Sequence, residues 1–137
     1  DITKLRRMPE DLPADDGILS VELYHPTAAE EIAHQGLYQK WHGHRELQLV
    51  CAGKQWMNFT PINADKGIAL SEYQNMHGIS PQETMAFGDN MNDASMLLRA
   101  DYSYAIGNAR KEIKGLTRFV ADTNMNDGVL QVLRTIK

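Results

Sequence analysis

The 137-residue sequence contains a single cysteine, Cys51, which excludes an internal disulfide bond. Cys51 lies in the strand-like segment 46–51, and we expect it to be a packing residue. No stretch approaches the roughly 18 to 20 consecutive apolar residues of a membrane-spanning helix. The opening Asp1-Ile2-Thr3-Lys4 lacks the apolar core of a signal peptide. We therefore expect no membrane partner and a cytoplasmic location.

An excess of positive charge is also lacking, since the formal net charge is −4. The basic residues are scattered, and the nearest approach to a cluster is Lys4, Arg6 and Arg7. This distribution excludes the electrostatic footprint of a nucleic-acid-binding protein, so no nucleic-acid partner is expected. The apolar share of 42% and the charged share of 23% are typical of a globular protein and not of a disordered chain.

The first 60 residues read as strand, helix, strand, strand. Segment 18–24 alternates, with Leu19, Val21 and Leu23 on a face predicted to meet a layer of helix. Segment 26–41 carries Glu30 and Glu31 in its first turns, as the helix dipole favours. Segments 45–51 and 55–59 alternate around the tight turn 52–54, which predicts a hairpin. We expect residues 1–60 to form one small α/β lobe.

Beyond Pro61 the pattern alternates helix and strand, as in a doubly wound parallel sheet. Asp65 is placed to cap a helix that ends at His77-Gly78, with its apolar residues at helical spacing: Ile68, Ala69, Leu70, Tyr73 and Met76. Strands are predicted over 84–87, 102–106 and 118–121. Further helices are predicted over 92–99, from 110, and over 127–136. We therefore place a lobe boundary near residue 61.

Polar residues follow the predicted strand 84–87 in the pattern Gly88-Asp89-x-x-Asn92-Asp93. The carboxyl ends of parallel strands are where such sheets bind ligands, and the hard oxygens of Asp89, Asn92 and Asp93 suit Mg²⁺. Lys66 lies in the first turn of a predicted helix, where its ammonium and the helix N–H groups could face one anion. A capped turn would explain one acidic residue but not the whole cluster. The pattern therefore predicts a magnesium and phosphate site.

Two other polar segments leave their roles open. Gly107-Asn108-Ala109 follows the next strand, so it could lie near the same site, but Asn108 could equally cap the next helix. Segment 124–128 is best explained as the cap of the last helix.

Together these motifs resemble a known family. Ala64-Asp65-Lys66-Gly67, Gly88-Asp89-x-x-Asn92-Asp93, Gly107-Asn108-Ala109 and Asn126-Asp127-Gly128-Val129 are similar to the carboxyl-terminal half of Cof-type phosphatases, subfamily IIB of the haloacid dehalogenase-like (HAD) superfamily. The resemblance covers 61–137 and extends loosely over 1–60. It implies an α/β fold with a partial Rossmann-like core over 61–137, a parallel sheet with flanking helices. Residues 1–60 would be part of the α/β cap domain that sets substrate specificity.

The resemblance also implies roles for individual residues. Family members use one aspartate to attack the phosphoryl group and a second as acid and base, while Mg²⁺ screens the charge. Asp89 would coordinate Mg²⁺, and Lys66 and Asn92 would hold the phosphate. Asp93 would support the metal or orient Lys66. Lys66, Asp89 and Asp93 are thus the expected catalytic residues of this chain, and Asp89 and Asp93 its expected metal ligands.

The family's nucleophile motif, an apolar strand ending in Asp-x-Asp-Gly-Thr, has no counterpart here. In Ala14-Asp15-Asp16-Gly17-Ile18 an alanine occupies the nucleophile's place, and Pro13 argues against a central strand before it. Without an attacking aspartate the covalent step cannot begin. We expect a fragment of a longer enzyme, inactive alone, whose missing amino-terminal half is its partner. The strand ending at Asp89 should then lie at an open sheet edge.

The expected parent is a Mg²⁺-dependent phosphatase that hydrolyses small phosphorylated metabolites through an aspartyl-phosphate intermediate. Sugar phosphates, nucleotides and cofactor phosphates all remain open as substrates. A non-catalytic phosphate-binding or assembly module is the alternative. A phosphotransferase or transport ATPase, which uses a similar Gly-Asp-x-x-Asn-Asp turn, is a weaker third.

Overall fold

The computed structural model describes residues 20–41, 44–51 and 53–136. They form two three-stranded sheets, one mostly before Pro61 and one after it. The Asp15-Asp16-Gly17 segment, the start of the predicted first strand and the turn residues His42, Gly43 and Ala52 lie outside this description.

The first sheet is antiparallel. Its strands are β1 (Val21–Tyr24), β2 (Leu47–Cys51) and β3 (Trp56–Pro61), in the order β1-β3-β2. Leu49 lies opposite Phe59, and Val50 lies opposite Asn58, which fixes the register of the β2–β3 pair. The predicted hairpin is therefore confirmed, with β3 as the central strand.

A helical segment covers one face of this sheet. It runs through α1 (Ala29–Ile32), a π-helical stretch (Ala33–Leu37) and α2 (Tyr38–Trp41). Ala29 and Ala33 pack on Leu49 and Met57, with Cys51 partly buried beside them. The apolar face of β1 points to this side as predicted, because Leu23 pairs with Met57. This face of β1 is exposed, and β1 lies at the edge of the sheet that the described residues form.

The second sheet is parallel, with the order β4-β5-β6. The strands are β4 (Met85–Gly88), β5 (Tyr102–Ala105) and β6 (Phe119–Val120). In the described part of the chain four α-helices accompany them: α3 (Lys66–His77), α4 (Ala94–Leu97), α5 (Lys111–Leu116) and α6 (Gly128–Leu133). The core is built from small residues of the strands and loops around Leu97 and Ile113. This arrangement confirms the predicted α/β fold with a parallel sheet and flanking helices.

Helix α3 has the predicted ends. Asp65 caps its amino terminus, and Gly78 ends it in the left-handed conformation at φ 66°. The apolar periodicity identified the helix correctly, but it did not identify a buried face. Tyr73 and Met76 are 56% and 78% exposed within the described structure. The buried positions include Gln74, whose amide donates to Thr84 Oγ1 at 2.8 Å and to the Arg99 carbonyl at 3.2 Å.

Strand β4 is a terminal strand of the described sheet, as predicted. Ala86 and Ala105 face the core with Leu97 and Ile113. The opposite face carries stacked aromatic rings, with centroids 5.1 Å apart for Phe87–Tyr104 and 5.0 Å apart for Tyr104–Phe119. One face of this sheet is thus packed against helices, and the other presents an aromatic ladder.

Some local predictions need correction. The helix predicted over 92–99 is shorter in the structure, where a 3₁₀ turn (Met91–Asp93) leads into α4. The last helix is also shorter than 127–136, and Asp127, at φ 54°, makes no side-chain cap. Of the two roles left open for Asn108, the capping of α5 does not occur, because the N-cap residue of α5 is Arg110. The Asn108 Oδ1 instead accepts from the Asn124 N–H at 3.2 Å and links two loops. No helix in the described ranges has the length and apolarity to cross a membrane.

Candidate active site

The Asp93 carboxylate joins the two main sequence motifs. Its Oδ1 accepts a hydrogen bond from the Lys66 ammonium, which comes from the first turn of α3. Its Oδ2 accepts from the main-chain N–H groups of Asp89 at 3.0 Å and Asn90 at 3.3 Å. The loop after β4 and the start of α3 therefore meet at one side chain. Lys66, Asp89 and Asp93 lie at the same edge of the parallel sheet.

Two glycines allow this approach. A Cβ at Gly88 would lie 2.6 Å from the Asp93 Cβ, and a Cβ at Gly67 would lie 2.5 Å from the Ser95 carbonyl oxygen. Neither distance is compatible with a side chain. The glycines of both motifs are thus required for close packing, because they let α3 and the 3₁₀ turn approach the end of β4.

The electrostatics of Asp93 reflect competing effects. Burial by itself raises the pKa of its carboxyl, which is only 8% exposed. The hydrogen bond from Lys66 and those from the two N–H groups outweigh burial, so the pKa lies below its ordinary value. Asp93 is therefore a stable anion at neutral pH. Its partner Lys66 keeps a half-exposed side chain (51%), so its ammonium can also contact a ligand.

Asp89 is held through its main chain. Its N–H donates to Asp93, and its carbonyl accepts from the Arg110 N–H at 3.0 Å. The residue itself is exposed. The backbone is thus fixed on both sides, while the exposure of the residue leaves its side chain accessible to a cation.

Asp65 fixes the start of α3. Its Oδ1 accepts from the N–H groups of Gly67 at 2.9 Å and Ile68 at 3.0 Å. Its Oδ2 accepts from Ser95 Oγ at 2.7 Å, which ties α3 to α4. These bonds set the direction in which Lys66 leaves the helix, since Lys66 is the next residue.

Lys66 and Asn92 line a cavity of about 500 Å³. The first sheet and its helix supply the facing wall, including Gln48, Asn58 and Thr60. A volume of this size suits a small metabolite. Asn92, three residues after Asp89, lines this cavity, but Asp89 itself does not.

An ion pair between Arg110 and Glu30 forms part of the cavity wall. The Arg110 guanidinium donates to both carboxylate oxygens of Glu30, at 2.7 and 2.8 Å, and so joins α1 to the start of α5. The hydrogen bond from Arg110 holds the pKa of Glu30 below its ordinary value. Nearby, burial and the hydrogen bond with Cys51 raise the pKa of Tyr38 to about 12, so its phenol stays neutral.

The same side chains offer few ligands to a magnesium ion. Within the described ranges no three or more His, Cys, Asp or Glu side chains cluster as a metal site. Both Asp93 oxygens accept hydrogen bonds, so Asp93 could bind a cation only through a lone pair that these bonds leave free, whereas Asp89 is exposed. Mg²⁺ commonly uses only one or two carboxylates together with water and substrate phosphate. Asp89 fits one such ligand position.

Four residues that line the cavity were missed by sequence reasoning, three from the first lobe and Arg110 from the second. Asn58 and Thr60 occupy alternate positions of a hairpin strand, where polar residues usually face solvent. Glu30 was noticed only as a favourable charge near a helix start. Arg110 was noticed only as a helix start. Nothing in their local pattern distinguishes them, because their neighbours in the cavity come from distant parts of the chain.

Comparison with known proteins identifies the family. A model of haloacid dehalogenase-like hydrolases matches residues 8–133. The chain belongs to this family, and the predicted resemblance to its Cof-type phosphatases is confirmed.

Curated relatives are phosphatases with different named substrates. The 5-amino-6-(5-phospho-D-ribitylamino)uracil phosphatase YwtE of Bacillus subtilis is 33% identical over 102 residues, covering 74% of this chain and 32% of that protein. The pyridoxal phosphate phosphatase YbhA of Escherichia coli is 30% identical over 105 residues, covering 76% and 35%. The chain thus spans about a third of the length of these relatives.

A solved structure supports the fold. A haloacid dehalogenase-like hydrolase from B. subtilis superposes with a TM-score of 0.78 at 29% identity, over 93% of this chain and 45% of that one. The observed pair of sheets is therefore an arrangement found within a larger hydrolase.

Proposed function

We propose that this chain is the carboxyl-terminal part of a phosphatase that hydrolyses small phosphorylated metabolites with Mg²⁺, through an aspartyl-phosphate intermediate. The observation that carries the proposal is the Asp93 carboxylate, which joins the Lys66 ammonium to the Asp89 loop. Family membership adds support, since the matched relatives are named phosphatases of different phosphate esters.

Lys66 and Asn92 would hold the phosphoryl group. Lys66 is half exposed at the cavity wall, and an ammonium about 4 Å from a phosphate oxygen contributes roughly 4 kcal/mol at an effective dielectric of 20. Asn92 would donate from its amide. Asp93 would orient Lys66 and keep the Asp89 loop in place, which is the second of the two roles expected for it.

Asp89 would be a metal ligand because its carboxylate is exposed on a fixed main chain. A bound Mg²⁺ would neutralise charge on the phosphoryl oxygens. The nucleophile and the acid/base aspartate would come from a segment outside this chain.

Two surfaces support a missing amino-terminal half as the partner. The edge of β4 has unpaired main-chain groups on one side within the described sheet. The aromatic ladder occupies a sheet face that parallel α/β proteins normally cover with helices. Both features would be satisfied by additional strands and helices of the same protein. In this arrangement residues 1–60 would act as part of the cap and 61–137 as half of the catalytic core.

The test uses the full-length protein containing these residues and the 137-residue chain alone. We expect the full-length protein to release phosphate from phenyl phosphate with Mg²⁺ and to lose this activity in EDTA. Asp89→Asn and Lys66→Met should each lower kcat/KM at least about 100-fold. The exposed Lys40 provides a matched control, so Lys40→Met should retain activity.

The 137-residue chain alone should release no phosphate. Turnover by this chain that is lost on Asp89→Ala would refute the claim that the nucleophile lies elsewhere. A full-length protein that binds inorganic phosphate through Lys66 but hydrolyses no ester would instead favour the non-catalytic binding module.

A further inference from the structure

The polar face of the first sheet lies toward the candidate active site. Strand β3 alternates, so Met57 packs with the helical layer while Asn58 and Thr60 occupy the other face. Their cross-strand partners on β2 are Val50 and Gln48. All four line the cavity that Lys66 and Asn92 line from the second lobe.

Two polar atoms on this face have no partner. Asn58 Oδ1 and Thr60 Oγ1 are buried without a hydrogen bond among the described residues. Native proteins pair nearly all buried polar atoms, because an unpaired one has lost its water without compensation. Both residues line the cavity, so a ligand bound there would contact their side chains directly. A ligand in the cavity would then supply the missing partners.

The charges around the cavity indicate what kind of ligand group these residues suit. Glu30 pairs with Arg110, and Asp65 is engaged by Ser95 and the start of α3. Lys66 is assigned to the phosphoryl group. The amide of Asn58 and the hydroxyl of Thr60 are neutral, and they suit hydroxyl or N–H groups of a neutral leaving group.

We propose that Asn58 and Thr60 are specificity residues, which hydrogen-bond the hydroxyl groups of the leaving group while Lys66 and Asn92 hold its phosphate. This inference rests on the proposed phosphatase function. It adds two residues of the first lobe to the site and assigns them to the part of the substrate that does not react.

The test compares two esters in the full-length protein with Mg²⁺. Ribose 5-phosphate has hydroxyl groups on its leaving group, and phenyl phosphate has none. We expect Thr60→Val and Asn58→Leu each to lower the ratio of their kcat/KM values, ribose 5-phosphate over phenyl phosphate, about threefold to tenfold. Thr60→Ser should restore the ratio. The exposed Thr27 of the same lobe supplies the control, and Thr27→Val should leave the ratio unchanged.

Binding is measured separately in EDTA by titrating ribose 5-phosphate and inorganic phosphate into each protein. We expect the wild type to bind ribose 5-phosphate more tightly, and Thr60→Val and Asn58→Leu to reduce that preference. If the wild type hydrolyses both esters but neither the kcat/KM ratio nor the binding preference changes in the two variants, the specificity role is overturned and the phosphatase function stands. If nothing is hydrolysed but the binding preference falls in the variants, the recognition role stands and the phosphatase fails.

Discussion

Replacing Asp93 by asparagine tests the contact on which the candidate site is built. The substitution keeps the shape of the side chain and removes its charge. The asparagine oxygen can still accept from the N–H groups of Asp89 or Asn90, but its NH₂ group then faces the Lys66 ammonium. Two donors in this position repel each other, so Lys66 should turn toward solvent.

The size of the effect follows from these contacts. Hydrogen bonds to charged groups contribute about 1.5–3 kcal/mol, against about 1 kcal/mol for neutral ones. The substitution weakens the two N–H hydrogen bonds by this difference. The Lys66 contact adds less, because Lys66 is half exposed and solvent screens the contact. Together these changes lower the free energy of unfolding by about 2 kcal/mol. Urea unfolding of the full-length protein at pH 7 measures this loss. Asp101→Asn removes the same charge from a surface ion pair with Arg118 and should cost less than about 1 kcal/mol.

The loss should also depend on pH in one direction. The folded pKa of Asp93 lies below the value of about 3.9 expected in the unfolded chain. Its contribution to stability is therefore present above pH 3.9 and disappears as the pH falls through the folded pKa. The difference in unfolding free energy between wild type and Asp93→Asn should be constant near neutral pH and shrink below about pH 4. Equal stability at pH 7, or a difference that persists undiminished in acid, would refute this reasoning.

Three further predictions concern other contacts. Glu30→Gln and Arg110→Gln should show a coupling of about 1 kcal/mol in a double-mutant cycle of unfolding free energies, because the pair is bidentate and partly buried; additive effects at low salt would contradict it. Gly128→Ala should lose more than about 2 kcal/mol of unfolding free energy, since its Cβ would lie 2.0 Å from the Asp122 carbonyl oxygen. Gly115→Ala, in α5 with open space around it, should raise the free energy of unfolding by about 0.5–1 kcal/mol. Similar effects at both glycines would contradict the close contact of Gly128 with Asp122. Asp65→Ala should lose about 1 kcal/mol in urea unfolding through the α3 cap, and Asp65→Asn less; equal losses in the two variants would show that the cap oxygen is not responsible.

Much of the second lobe could be predicted because its signals are local. A capping aspartate before α3, a glycine after it, and a short apolar run before Asp89 each specify a backbone state within a few residues. The same reasoning could not decide the role of Asn108, whose partner Asn124 is 16 residues away. It also found no buried face on α3, where Tyr73 and Met76 are exposed among the described residues. Periodicity identifies a helix, but burial depends on what packs against it.

The sequence by itself determined the order of the elements, the parallel sheet and the position of the acidic loop. The spacing of apolar residues, the turn residues and the motif spacing are all properties of neighbouring residues. Only the tertiary structure decided that both Asp93 oxygens accept hydrogen bonds, that Arg110 reaches Glu30, and that Asn58 and Thr60 line the same cavity as Lys66. Lys66 and Asp93 are 27 residues apart in the sequence, and Glu30 and Arg110 are 80 residues apart. Such contacts depend on how the sheets and helices pack, and no local pattern encodes that packing.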